Sequence, residues 1–182
     1  MCIRDSIDTG VFYALFDKGD AHHVDAVAIM AHILEGRFGR AYTTDYVVLE
    51  TTLLLRARLG AETVKALVGF LNKSGIAVLV VDEPIFERAV KLLTKMPERL
   101  SLCDAASLVL IDELGIETLA SFNLRSFAGL VANIVGRKYY ASLGSEEKRR
   151  IQQQYLLYHL STRYKKTKPQ QLSLIHISEP TR

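Results

Sequence analysis

Three acidic side chains and one amide stand where they could build a hydrolytic site: Asp8, Glu50, Asp104 and Asn123. Asp104 lies in Ser101-Leu-Cys-Asp-Ala-Ala-Ser107, in the first turn of an expected helix, where the helix dipole favours a negative charge. Leu108, Val109, Leu110, Ile111 and Leu114 give that helix its apolar contacts, and Gly115 stops it. A short strand, Glu117 to Ser121, then delivers Asn123 at its end. Asp8 closes the first apolar segment, and Glu50 falls about one turn into an early helix. From pattern alone, Glu50 reads equally as a solvated face residue, because a lone Glu on a helix is usually exposed. Polar groups at the carboxyl ends of parallel strands line the crevice where open α/β sheets bind ligands. Converging there, these side chains would hold a divalent metal for phosphodiester hydrolysis.

The elements that must position them alternate. Residues 3–7 should form the first, central strand, and a short helix follows near Val11, capped by Thr9. Asp20 caps a longer helix over 21–35, with Val24, Val27, Ala28, Ala31 and Leu34 at helical spacing. Ala41–Thr44 is a second strand, and Asp45 caps a helix over 46–59. A helix over 61–73 leads to Ile76–Val81, an apolar run that reads as a third, buried strand. Glu83–Lys95 is helical, with Pro84 in the first turn, and Pro97 ends it. The Asp104 helix and the Glu117–Ser121 strand come next; Leu130–Val135 reads as a fifth strand or a helix, and Ser145–Leu160 as a helix. Strands alternating with helices predict a three-layer α/β/α sandwich around a parallel sheet of four to five strands.

Length and composition fit one soluble domain: 182 residues, 49% hydrophobic and 24% charged. No apolar run reaches the length of a membrane span, no secretory signal is visible, and two cysteines suit a reduced, cytoplasmic compartment. Cys103, beside Asp104, reads as a small packing residue rather than a nucleophile. His22, His23 and His32 lack the paired spacing of a metal site and read as surface or boundary residues. Residues 1–124 carry 12 Lys+Arg against 17 Asp+Glu, whereas the remaining residues carry 11 against 3. The basic part interleaves Lys148, Arg149, Arg150, Arg163, Lys165, Lys166 and Lys168 with Tyr155, Tyr158 and Tyr164. That pattern suits a polyanion or a merely solvated tail.

Both ends, Met1–Ser6 and Leu172–Arg182, resemble translated sequencing adapters. The expected division is therefore 1–6 foreign, 7–128 nuclease-like domain, 129–171 basic and partly helical extension, and 172–182 foreign. Arg4 and Asp5 interrupt what should be an apolar central strand, so a frayed first strand is expected.

Asp8-Thr-Gly-Val-Phe-Tyr-Ala-Leu, Thr43-Thr-Asp-Tyr-Val-Val-Leu-Glu-Thr51, Leu102-Cys-Asp-Ala-Ala-Ser107 and Ala120-Ser-Phe-Asn123, in this order, resemble the motifs of PIN-domain nucleases. The closest resemblance is to the VapC-like toxin branch, over about Ile7 to Phe127. The resemblance implies an acidic pocket for Mg²⁺ or Mn²⁺, endoribonuclease activity, a homodimer and a cognate antitoxin. It makes Asp8, Glu50 and Asp104 the acidic core and metal ligands, Glu50 directly or through water. Asn123 stands where many members have Asp, one negative charge fewer around the metal. Mg²⁺ takes hard oxygen ligands and keeps several waters, which suits this donor set better than zinc. The implied reaction is hydrolysis by metal-activated water without a covalent enzyme intermediate. The competing reading is a catalytically weak or inactive PIN-like module that binds RNA or protein. Neither a Gly-x-x-x-x-Gly-Lys phosphate loop nor Gly-x-Gly-x-x-Gly occurs, and Gly10 stands where a phosphoaspartate phosphatase needs a second acid.

Overall fold

The computed structural model describes residues 4–164, with side chains for residues 5–154. Five parallel strands, β1 (Arg4–Ile7), β2 (Arg40–Thr44), β3 (Ala77–Leu79), β4 (Thr118–Ala120) and β5 (Asn133–Val135), stand in the order β3-β2-β1-β4-β5. The ambiguous 130–135 stretch thus supplies the fifth strand. Between the strands run α1 (Thr9–Phe16), α2 (His23–Leu34), α3 (Asp45–Leu59), α4 (Ala61–Ser74), α5 (Glu83–Lys95), α6 (Leu102–Leu114) and α7 (Leu124–Phe127). Beyond β5 follow α8 (Tyr139–Ser142) and α9 (Ser145–Tyr164); the two short helices, α7 and α8, have no periodic pattern that the sequence could announce. Lys165, Lys166, Lys168 and the adapter-like C-terminal peptide lie outside the described residues, as do the side chains of Tyr155, Tyr158, Arg163 and Tyr164.

Successive strand residues point to opposite faces, and this splits the core in two. Ile7, Ala41 and Ala120 join Val11, Phe12, Ile29 and Met30 in one layer. Leu119 joins Ile85, Ala89, Val109 and Phe127 in the other. Phe12 and Phe127 are almost wholly buried, each contributing about 1.5–3 kcal/mol of apolar burial. Helices cover both faces, as the alternation of elements requires.

Strand β1 is not frayed. It pairs with β2 on one side and β4 on the other, because its backbone donors and acceptors are satisfied whatever side chains it carries. The cost falls on Asp5. It is 1% exposed, and neither carboxylate oxygen has a hydrogen-bond partner. Burial pushes its carboxyl up to about 7, with Thr118 opposing weakly. Strand β3 also departs from expectation: it is one edge of the sheet, and Val78 within it and Val80 just past it are exposed. An apolar run cannot by itself tell a central strand from an edge one.

Helix starts differ in detail. Thr44, not Asp45, caps α3 by accepting from the Val47 N–H at 3.0 Å. Asp45 instead accepts from the Tyr46 and Val81 N–H groups, tying α3 to the end of β3. His22 occupies the N-cap position of α2, and Asp20 accepts from its N–H. His32 is completely buried rather than at a boundary, its Nδ1 2.8 Å from the Tyr139 hydroxyl. That contact spans 107 residues and leaves no local sequence trace.

Candidate active site

The strand order reverses at β1: the chain adds β2 and β3 on one side, then β4 and β5 on the other. Ligands of open α/β sheets bind at such a switch point, outside the carboxyl ends of the strands. Asp8 is the first residue beyond β1, and its N–H donates to the Ala120 carbonyl at the end of β4. Ser121 and Asn123 follow β4 directly, and α3, which carries Glu50, starts where β2 ends. Asp104 arrives on α6.

Asp8 and Glu50 each have one oxygen fixed by a hydroxyl from another element, whereas the Ser126 hydroxyl near Asp104 divides its one proton between that carboxylate and the Arg99 carbonyl at 2.9 Å. The Ser121 hydroxyl donates to Asp8 Oδ2 at 2.7 Å. Thr9 Oγ1 donates to Glu50 Oε2 at 2.6 Å, so Thr9 orients an acid instead of capping α1. Asp104 Oδ2 lies 3.1 Å from the Ser126 hydroxyl and accepts from the Ser101 N–H at 3.0 Å. The Ser101 hydroxyl accepts from the Asp104 N–H in return, closing a capping box that locks the first turn of α6. Asp8 and Asp104 are buried, and Glu50 is half-buried.

The electrostatics join the three acids into one cluster. Burial is the main reason that the Asp8 carboxyl rises to about 6; the Asp104 and Glu50 charges push it further, while Ser121 and the Thr9 backbone pull it down. The Cys103 thiol is raised by burial and then by Glu50, with Asp8 and Asp104 adding to the effect. It is therefore a neutral thiol packed beside the acids, not a nucleophile.

Asn123 is turned elsewhere. Its Oδ1 accepts from the Ser126 N–H at 3.3 Å, and its Nδ2 donates to the Ser126 hydroxyl at 2.7 Å. Both ends of the amide thus cap α7. Arg99 holds the same helix by donating to the carbonyls of Arg125, Ser126 and Ala128. The sequence reading missed Thr9, Ser121 and Ser126 as partners of the acids, and only Ser101-x-x-Asp104, a capping-box signature, could have been read locally.

The donor set fits a hard divalent cation in kind: all oxygen, mutually repelling, with a buried Asp8 that a cation would help to ionise. In number it fits a hydrated ion with one or two direct carboxylates. Among the described residues, no three His, Cys, Asp or Glu side chains are gathered around a single ion position. An apolar cavity of about 340 Å³ lies apart from the acids, between α1, α2, α4 and α9, lined by Phe16, Met30, Phe70 and Ile151 among others.

Comparison with known proteins bears on this geometry. The PIN domain profile matches residues 6–130. A VapC ribonuclease of Archaeoglobus fulgidus is 34% identical over 148 residues, covering 80% of this chain and 90% of that protein. Ribonuclease VapC26 of Mycobacterium tuberculosis is 26% identical over 125 residues, covering 68% and 90%. The crystal structure of M. tuberculosis VapC20, a sarcin-ricin loop cleaving toxin, superposes with a TM-score of 0.61 at 27% identity, over 70% of this chain and 97% of that one. A toxin-antitoxin complex from Klebsiella pneumoniae shares the fold, with a TM-score of 0.51 at 20% identity, over 71% and 94%.

Proposed function

The chain belongs to the PIN-domain family, in its VapC-like ribonuclease branch, and we propose that it is a divalent-metal-dependent endoribonuclease. One observation carries this reading. Asp8, at the sheet's switch point, lies within reach of the Asp104 and Glu50 charges, and hydroxyls of Ser121 and Thr9 hold Asp8 and Glu50. Asp8 and Asp104 would hold Mg²⁺ or Mn²⁺, with Glu50 completing the set through water. When bound, the ion supplies water activation and charge stabilisation at the phosphate.

The chain's own contribution is orientation and proton handling. The hydroxyls of Ser121 and Thr9 engage Oδ2 of Asp8 and Oε2 of Glu50, and the Ser101 N–H engages Oδ2 of Asp104, which fixes how the three acids are turned. Glu50, half-buried and hydrogen-bonded to Thr9, is placed to accept a proton from an attacking water. Asn123, engaged in capping α7, contributes to the position of Ser126 and through it to Asp104.

The proposed substrate is RNA and the proposed partner a cognate antitoxin, as for a toxin of a toxin-antitoxin pair, acting in the cytoplasm. No helix among the described residues is long and apolar enough to cross a membrane. A homodimer is proposed as well. Leu49 and Leu53, each 59% exposed and one helical turn apart on α3, are apolar side chains that a second copy could cover.

Asn123 motivates a second reading, a catalytically weak module that binds RNA or protein, because its amide adds no charge to the cluster. Incubation with structured RNA and Mg²⁺ or Mn²⁺ separates the two. Cleavage that EDTA and Asp8→Asn both abolish supports the nuclease; binding without cleavage supports the module, and cleavage that survives Asp8→Asn contradicts the assigned site.

A further inference from the structure

A crevice lined by carboxylates repels RNA, so a strand that reaches it must be met by positive charge close by. The turn after β5 provides it. Gly136 packs so tightly against β4's end that a Cβ there would stand 2.2 Å from the Ser121 carbonyl oxygen. Ser121 is the residue whose hydroxyl holds Asp8. From this anchor the chain turns outward through Arg137 and Lys138, both exposed.

Lys138 has φ +63° and ψ +14°, the one non-glycine residue with positive φ among those described. Non-glycine residues adopt this conformation rarely, and where they do, a functional constraint is worth testing. The strained turn is held from α2: Asp25 accepts from the Lys138 N–H at 2.9 Å and from the Tyr140 N–H at 2.8 Å. Asp25 is thereby engaged by backbone donors. The Arg137 and Lys138 side chains form no salt bridge among the described residues, whereas Arg37, Arg88 and Arg150 all do. Beside the turn, Phe122 stacks on the imidazole of His22 with ring centroids 4.6 Å apart and planes 23° from parallel. Phe122 is buried, so the stack braces the turn, and the two exposed cations without salt bridges are the phosphate contacts that a single-stranded RNA site needs.

Resting on the nuclease reading above, we propose that the Gly136–Lys138 turn is a phosphate-binding subsite that receives the RNA strand flanking the cleaved bond. The test measures binding of a short, labelled single-stranded RNA by anisotropy. It uses the full chain carrying Asp8→Asn, in EDTA, so that cleavage plays no part. In that background, Arg137→Gln with Lys138→Gly removes both charges while glycine keeps the turn; Lys138→Asn serves if the glycine variant misfolds by circular dichroism. Binding is expected to weaken about 10-fold or more at low salt, and the slope of log affinity against log salt to shrink by about 1.4, for two phosphate contacts. Arg40→Gln with Lys73→Gln, at the amino end of β2 and the end of α4, removes the same charge away from the carboxyl ends of the strands and should leave most of that slope.

An unchanged slope, an equal loss in the Arg40→Gln, Lys73→Gln control, or no RNA binding at all overturns the subsite. A lost slope together with a chain that cleaves no RNA in Mg²⁺ or Mn²⁺ supports the subsite and sinks the nuclease reading. Cleavage with an unchanged slope does the reverse.

Discussion

Asp5 and Asp8 lie three residues apart, one inside the central strand and one just past its end, and both are buried. Asp8 has a hydroxyl donor, two acidic neighbours and a place at the switch point of the sheet. Asp5 has no hydrogen-bond partner and shares its face with Ile7, among apolar side chains. Burial raises both carboxyls, Asp5 to about 7 and Asp8 to about 6. The difference between a site and a defect is therefore not burial but provision. Around Asp8 the fold supplies a well-placed donor and like charges that a cation can neutralise, and around Asp5 it supplies only the neighbouring Thr118, outside hydrogen-bond geometry, and no like charge.

The largest expected effect breaks the comparison on the functional side. Asp8→Asn should lower RNA cleavage by about 10³-fold, with the circular dichroism of the wild type, because it removes a charged ligand from the cluster. Asp5→Asn should leave cleavage within about twofold, since a residue outside the site adds little to transition-state binding.

On the stability side the order reverses. Asp5→Val should raise unfolding free energy by about 2 kcal/mol at neutral pH, read from urea melts, because an unpartnered buried carboxylate gives way to an apolar β-branched residue. Reading residues 1–6 as foreign predicts the same gain. The pH dependence follows from the same two groups. Both carboxyls are raised above the ordinary 3.8, so between about pH 4 and 7 the folded chain binds more protons than the unfolded one. Stability should fall as pH rises through that window, and Asp5→Val should remove the larger, later part of the decline while Asp8 keeps the rest. A flat profile for the wild type would show that Asp5 finds a partner in solution.

A smaller effect probes the hydroxyls. Ser126→Ala should cut cleavage by about 10-fold, the scale of a lost outer-shell partner, with apparent metal affinity reduced as well. Smallest is Asn123→Asp. Aspartate caps a helix about as well as asparagine, so stability should stay within about 0.5 kcal/mol; metal affinity should change less than in Asp8→Asn.

Where the acids stand in the fold, though not their role, was legible because each sits within a few residues of its element boundary: Asp8 after an apolar strand, Glu50 in the second turn of a helix, Asp104 in a first turn. The sheet was legible from the alternation of elements as four to five parallel strands, and the structure settles the open 130–135 stretch as the fifth. What holds the acids was not. Thr9 meets Glu50 across 41 residues, Ser121 meets Asp8 across 113, and Ser126 meets Asp104 across 22. Hydroxyls carry no periodic signal, and these pairings exist only once the fold has brought β1 to β4, α1 to α3 and α7 to α6. Asn123 was read by position as a metal-facing residue, whereas its side chain follows the local demand to cap α7. Val78 and Val80 misled for a related reason: hydrophobicity marks a strand but not its rank in the sheet.

Calorimetric titration with Mn²⁺ tests, without any assay of cleavage, the proposal that one divalent ion binds Asp8 and Asp104 directly and Glu50 through water. The account predicts about one ion per chain, with affinity reduced about 10-fold or more in both Asp8→Asn and Asp104→Asn and unchanged in Asp5→Asn. Equal Mn²⁺ affinity in the wild type, Asp8→Asn and Asp104→Asn would contradict it.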